Sequence, residues 1–379
     1  MSNPFRILYC TGSLAAKGGV ERVLSNKTAI FAEKYGIEIH IVTLDDKPTA
    51  YKFSDRIVFH TIHSHKSRIN LPLISNYFIK RERYKSYNDL ICNLAPNVVI
   101  VLERGTDDFY LPSICHRLKV PIVREFHFAQ KAVYEYSKLM PFMRRLRYLA
   151  NYKRIFRAFN NYDWLVLLTN KDKKESNYKC KTIVIPNIIP LHDLPKTDYS
   201  FKRAISVGSM HDHRKGFLNL IKIWDKIKDK HPEWQFHIYG GGLIEPQLKE
   251  YVDNHDLSDY VKICGVSNHI EDEYAKSSIF LAASVAEGLP MVLIEAMGCG
   301  LPCVSYDTPT GPSDIITDGV NGKIVPYMDE DRFVSETLQL IENPGLLKEF
   351  GKAAEFDSHI FDEDHVIPMW LDFFKQFGY

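Results

Sequence analysis

The sequence predicts an α/β protein made of two successive, doubly wound parallel sheets facing a common cleft. Three observations lead there. In the first half, short β-rich runs, several almost wholly apolar, alternate with helical patterns, as buried parallel strands and their crossover helices do. The alternation stops in a polar, proline-bearing stretch and then begins again. The length of 379 residues suits two domains of about 150 residues or somewhat more.

In chain order, strands are expected at Phe5 to Cys10, Ile37 to Thr43, Asn97 to Leu102, Val120 to Arg124, Trp164 to Thr169 and Thr182 to Pro186. A helix from Val20 to Lys34 follows the first strand, with Val20, Val23, Leu24 and Phe31 at helical spacings. From Asn187 to Lys202, Pro190 and Pro195 sit among polar residues without a period, which places a linker, drawn at 191–202. Strands resume at Ala204 to Val207, Gln235 to Tyr239, Val261 to Cys264, Ile279 to Ala283 and Cys303 to Tyr306. Helices are expected at Phe217 to Lys228, Pro246 to Asp253 and Met291 to Met297. The domains are therefore 1–190 and 203–360, followed by an aromatic-rich helix in 361–379. Ligands of such sheets bind at the carboxyl ends of the strands, so function is sought in the cleft.

Forty-eight Lys and Arg against 47 Asp and Glu leave a net charge of +1, and 45% of residues are hydrophobic. That balance argues against a disordered chain and against a generally basic nucleic-acid binder. Seven cysteines without paired spacing read as reduced thiols, which points to the cytoplasm. The apolar stretch from Phe5 is broken by Arg6 and too short for a signal peptide, and no run reaches the roughly 18 apolar residues of a spanning helix.

The second half carries the chemistry. Gly208 ends a strand, and Arg214-Lys215-Gly216 opens the helix from Phe217. Free N–H groups at a helix start and the positive end of its dipole favour a phosphate, and two cations add full charges; a solvated basic pair is the plainer reading. Glu287-Gly288-Leu289-Pro290 then follows a strand and shapes another helix start. Glu287 is left at the mouth of the sheet, and Glu295 lies deeper, where it needs a polar partner or a ligand hydroxyl.

Glu287 and Glu295 form an E-x7-E pattern. With Gly298, Gly300, Leu301, Pro302 and Val304, then Gly311-Pro312-Ser313-Asp314 and Asp318-Gly319-Val320-Asn321-Gly322, this stretch resembles the retaining GT-B glycosyltransferases called family four. Ile185-Pro186-Asn187, Tyr239-Gly240-Gly241-Gly242 and Gly18-Gly19-Val20-Glu21-Arg22 extend the resemblance through most of the chain. It implies two Rossmann-like domains, the second holding a nucleotide-sugar donor, UDP-linked, and the first an acceptor. It also implies transfer with retention of configuration and no cofactor beyond the donor. Carried over, Arg214 and Lys215 bind the diphosphate, Glu287 the sugar hydroxyls and Glu295 the ribose. The backbone of Gly288, Leu289 and Pro290 lies against diphosphate and sugar. Many members carry Arg after the glycine that corresponds to Gly208; Ser209 stands there in this chain, and Arg214 is expected to substitute.

Thr11-Gly12 and Lys17-Gly18-Gly19 follow the first strand, so their amides either face the donor phosphate from the other domain or serve a plain tight loop. The spacing does not match G-x-G-x-x-G, which counts against an NAD site. His127 follows the strand Val120 to Arg124, and the resemblance gives it a contact with the sugar or its acceptor. Asp329-Glu330-Asp331 and Asp362-Glu363-Asp364 begin expected helices and read as caps. His211-Asp212-His213 and His60, His63, His65 lack metal-ligand spacing, and the cations near Gly216 make a metal unnecessary, so none is expected.

Between Lys138 and Arg157 lie seven basic residues and no acidic one, interleaved with Phe142, Leu146, Leu149 and Phe156 on one face of a helix. Segment 138–157 reads either as a core-packed helix with a solvated basic side or as a surface that rests on anionic lipid. The second reading suits a glycan or lipid-linked acceptor at the inner face of the cell membrane, in polysaccharide or lipopolysaccharide biosynthesis. A sugar-nucleotide epimerase of the same fold and a silent nucleotide-sugar-binding subunit are the rival readings.

Overall fold

The computed structural model describes residues 4–63, 72–102 and 107–379; His65 lies outside them. The first sheet contains β1 (Arg6–Cys10), β2 (Glu38–Thr43), β3 (Val58–Thr61), β4 (Val98–Val101), β5 (Ile122–Glu125), β6 (Trp164–Leu167) and β7 (Lys181–Val184). Its order is β3-β2-β1-β4-β5-β6-β7. The second contains β8 (Arg203–Val207), β9 (Gln235–Tyr239), β10 (Val261–Gly265), β11 (Ile279–Ala282), β12 (Cys303–Tyr306) and β13 (Gly322–Val325), in the order β10-β9-β8-β11-β12-β13. Every pairing between these strands is parallel. Strand order reverses between β1 and β4 and again between β8 and β11, and at such points the loops part to opposite faces and leave a crevice.

Two strands, β3 and β13, were not among those the pattern predicted. Both sit at a sheet edge, and Val58 and Phe59 of β3 remain exposed, so neither forms an apolar run. The basic segment differs as well. Segment 138–157 is not one helix: a helix Gln130–Ser137 ends at Lys138, and a second, Phe142–Phe159, starts after Pro141, which has no N–H to continue a helix. The second helix buries Tyr152, Ile155, Ala158 and Phe159 and leaves Phe142, Met143 and Leu146 exposed. Its core stripe is thus rotated away from the Phe142 and Leu146 face.

Helices cover both faces of each sheet. One face of the first sheet packs against the helix Gly19–Lys34 and, from the other end of the chain, the helix Glu363–Phe374. Trp370 and Phe374 meet Phe31 at 6.4 and 5.3 Å, Phe374 meets Phe5 at 5.6 Å, and Phe373 meets Trp164 at 5.3 Å between ring centroids. The chain therefore crosses between the sheets twice, and the two crossings are joined where Ile189 N donates to Phe361 O at 2.9 Å. Asp329 and Asp362 cap their helices, accepting from the backbone N–H of Arg332 and His365. All seven cysteines are free.

Because Trp370 is buried in the first domain's core, Trp370→Ala should cost about 3–5 kcal/mol. Urea denaturation followed by Trp164 fluorescence should show the first domain unfolding at lower denaturant.

Candidate active site

Loops from the two reversal points face each other across a cleft of about 1010 Å³. After β1, Gly18 is the N-terminal flank of the helix Gly19–Lys34, and both glycines line the cleft beside Arg22. After β8, Gly208 is followed by a single 3-10 turn, His213–Lys215, whose Asp212 carboxylate accepts from Arg214 N at 2.9 Å. Gly216 ends that turn at φ +68°, and a Cβ there would lie 2.0 Å from Ala283 O. Only glycine lets the turn press against the loop after β11. Val285 N then donates to Arg214 O at 2.8 Å, which brings the basic pair to Glu287.

Glu287 is buried, with Oε1 2.6 Å from Lys215 Nζ and Oε2 3.8 Å from Arg214 Nη1. Burial alone would push its carboxyl up; Lys215 and Arg214 outweigh this and hold it below the ordinary value. The aliphatic stem of Lys215 lies over Gly208, so this glycine leaves room for the cation's path. Ser209 turns to His211 instead, its hydroxyl 2.9 Å from Nδ1. Leu289 and Pro290 line the cleft ahead of the helix Met291–Gly298, and a Cβ on Gly288 would lie 2.7 Å from His127 O, so the domains touch here backbone to backbone.

Glu295, one turn into that helix, meets Arg22 of the first domain in an ion pair, and Tyr274 Oη is 3.5 Å from its other oxygen. Across the domains Tyr136 also donates to Asp212 at 2.8 Å, and Lys171 Nζ reaches Asp307 and Ser313, both at 3.0 Å. Arg22, Tyr136 and Lys171 were given no role by sequence reasoning, because their partners lie far along the chain.

His127 lies at the cleft floor with both ring nitrogens buried, and neither finds an aligned hydrogen bond among the described residues. Its Nε2 is 3.3 Å from Glu125 Oε2. Glu125 is in turn held by the buried Lys27, whose Nζ is 2.6 and 2.7 Å from its two oxygens and 4.2 Å from the Trp370 ring centroid. Burial pushes the Glu125 carboxyl up, but Lys27 and His127 prevail and hold it at about 2. Lys27 was missed, although it falls on the helical stripe of Val20, Val23, Leu24 and Phe31, where a lysine needs a buried anion.

The one group of His and carboxylate ligands close enough for a metal, among the described residues, is His192, Asp362 and Asp364. None of them lines the cleft, and Asp362 is occupied as a cap. His60 pairs with His40 at 2.8 Å, and His63 is exposed.

Residues 202–343 match the family model described as glycosyl transferases group 1. The chain resembles that family over this stretch. Its fold is GT-B: this glycosyltransferase superposes on TarM with a TM-score of 0.79 at 16% identity, covering 100% of this chain and 99% of that one. It superposes on the pneumococcal O-GlcNAc transferase GtfA, in complex with UDP and GlcNAc, with a TM-score of 0.76 at 15% identity and 99% of both chains. Among curated relatives, the amylovoran biosynthesis glycosyltransferase AmsD of Erwinia amylovora is 26% identical over 97% of this chain and 99% of its own length. The exopolysaccharide phosphotransferase SCO2592 of Streptomyces coelicolor is 31% identical over 56% of this chain, a match that spans 23% of that longer protein.

Glu125→Gln leaves Lys27 buried without a counter-charge and should cost this glycosyltransferase about 3–5 kcal/mol in urea denaturation; adding Lys27→Met should recover most of that loss. The carboxyl of Glu125 is held below its unfolded value, so its stabilisation is complete above the ordinary carboxylate pKa and is lost as pH falls toward about 2. The double variant should lose less stability than the parent over that acid range.

Proposed function

We propose that this glycosyltransferase moves a hexose or N-acetylhexosamine from a UDP-sugar to a glycan or lipid-linked acceptor, with retention of configuration, in polysaccharide or lipopolysaccharide biosynthesis. The observation that carries the proposal is the convergence of Lys215, Arg214 and Glu287 in a cleft whose opposite wall is the glycine-flanked helix start at Gly18 and Gly19. A diphosphate needs cations and N–H donors, and a hexose needs a carboxylate that accepts from hydroxyls; the cleft offers both. The UDP and GlcNAc in GtfA and the name of the amylovoran biosynthesis glycosyltransferase AmsD support the same reading.

In this reading Arg214 and Lys215 take the charge that develops on the departing diphosphate, aided by the amides from Gly288 onward, so a metal has no necessary part. When the diphosphate arrives, Lys215 shares its charge with it, and Glu287 turns an oxygen to the sugar. Arg214 stands in for the arginine that Ser209 lacks, which its approach to Glu287 supports. Glu295 binds the ribose, shared with Arg22. His127 faces the sugar or its acceptor. Both oxygens of Glu125 are held by Lys27, which leaves it unsuited to attack the anomeric carbon and favours a front-face route assisted by the leaving phosphate.

No helix among the described residues is long and apolar enough to cross a membrane. The exposed Phe142, Met143 and Leu146 beside Arg144, Arg145 and Arg147 support peripheral contact with anionic lipid at the inner face of the cell membrane.

Glu287→Gln should lower turnover by about two orders of magnitude or more while UDP still raises the melting temperature, whereas changing both Arg214 and Lys215 to Ala should abolish the UDP shift. Normal turnover in the first variant, or an unchanged shift in the second, would move the donor site elsewhere. Changing Arg144, Arg145 and Arg147 to Glu should release the protein from phosphatidylglycerol vesicles in a flotation assay and leave the UDP shift intact.

A further inference from the structure

A second cavity, about 1110 Å³ and as large as the donor cleft, opens on the other side of the contact between the domains. One wall is built by the helices Gln130–Ser137 and Phe142–Phe159, and the other by the loop at Asp307, Thr308 and Pro309 together with Tyr327 of the second domain. No residue named so far for the donor lines it.

Its chemistry is specific. Tyr134 and Tyr327, one from each domain, leave 52% and 39% of their surface open, and Phe156 adds a third ring to the lining. Lys138 and Arg145 stand 5.9 and 5.7 Å from the Tyr134 ring centroid, and the aromatic surface that stays exposed along the groove suits the flat, C–H-rich face of a sugar ring, with the tyrosine hydroxyls left for its edges. Of the cations that line the groove, three are already paired with carboxylates: Lys131 with Glu175 at 2.9 Å, Lys138 with Glu135 at 2.7 Å and Lys171 with Asp307 at 3.0 Å. Lys153 and Arg157 are not, and no carboxylate among the described residues takes either. They stand one helical turn apart on the same face, where like charges repel unless an anion lies between them. Arg157 can grip a carboxylate with two parallel N–H donors, and Lys153 adds a point charge.

We propose that this groove is a second glycan-binding site, which takes an anionic, carboxylate-bearing saccharide chain with its sugar faces on Tyr134 and Tyr327 and its charge on Lys153 and Arg157. The glycan is the part of the acceptor that lies beyond the reacting end; this role rests on the transferase reading above, whereas the binding itself does not. Because the two tyrosines belong to different domains, a chain bound here also holds the domains together beside the Lys171–Asp307 pair.

The test is isothermal titration of the full chain with a hyaluronan hexasaccharide, and with the same hexasaccharide after its carboxylates are reduced to alcohols. The expected result is saturable binding of the first, weakened by salt, and binding of the reduced form weaker by about tenfold or more. Lys153→Glu with Arg157→Glu should cost about tenfold or more in affinity, and Tyr134→Ala and Tyr327→Ala a severalfold loss each. All four residues contact solvent, and a UDP melting shift equal to the parent's checks that each variant is folded. Absence of binding by the parent at millimolar hexasaccharide would overturn the proposal. So would equal binding of the reduced form, or binding that survives the tyrosine changes and is lost only with Arg144, Arg145 and Arg147. A parent that binds the hexasaccharide but shows no UDP shift would leave the groove standing and remove the donor site.

Discussion

A carboxylate buried at the end of a strand must have cations beside it, and much of the second domain is arranged to hold them beside Glu287. The arrangement leaves little freedom. Asp212 caps the turn that carries the cations, Gly216 lets that turn close on the β11 loop, and Thr310 fixes the backbone of Glu287 by donating to its carbonyl at 2.7 Å. Such a pair is costly to bury and gains little over apolar packing, so its presence is better explained by work than by stability. It keeps Lys215, with the partly exposed Arg214 nearby, against an anion at the cleft wall, and in the proposed function a diphosphate sugar exchanges into these contacts.

The first domain repeats the device with a different outcome. Lys27 and Glu125 are more deeply buried, and Lys27 engages both oxygens and lies against Trp370, so the pair is closed to ligands. What lines the cleft there is His127, held beside a carboxylate that stays ionised. One domain thus sets its charge pair at the cleft, and the other seals its pair beside a ring that lines the cleft.

The central strands were legible in the sequence because burial on both faces gives apolar runs, as at β4, while the edge strands β3 and β13 gave none. Glycine and proline at Gly216, Gly288 and Pro290 marked the loops of the cleft, since their backbone chemistry is local. The contacts between domains were illegible. Arg22 and Glu295 are 273 residues apart, and no periodicity links a helix start to a carboxylate in another sheet. Pro141 was given no role in reading the sequence, yet it stands at the start of the second helix, whose Phe142, Met143 and Leu146 lie exposed.

The helix Glu363–Phe374 belongs to the first domain's core yet is encoded after the whole of the second. On the ribosome, then, the first sheet emerges with Phe5, Phe31 and Trp164 uncovered, and at about 5–20 residues per second they stay so for on the order of ten seconds or more. The two domains cannot mature as independent beads on a string. The nascent chain carries an aromatic surface of the kind chaperones bind, and its release waits on the same twelve-residue segment that later ties the domains together.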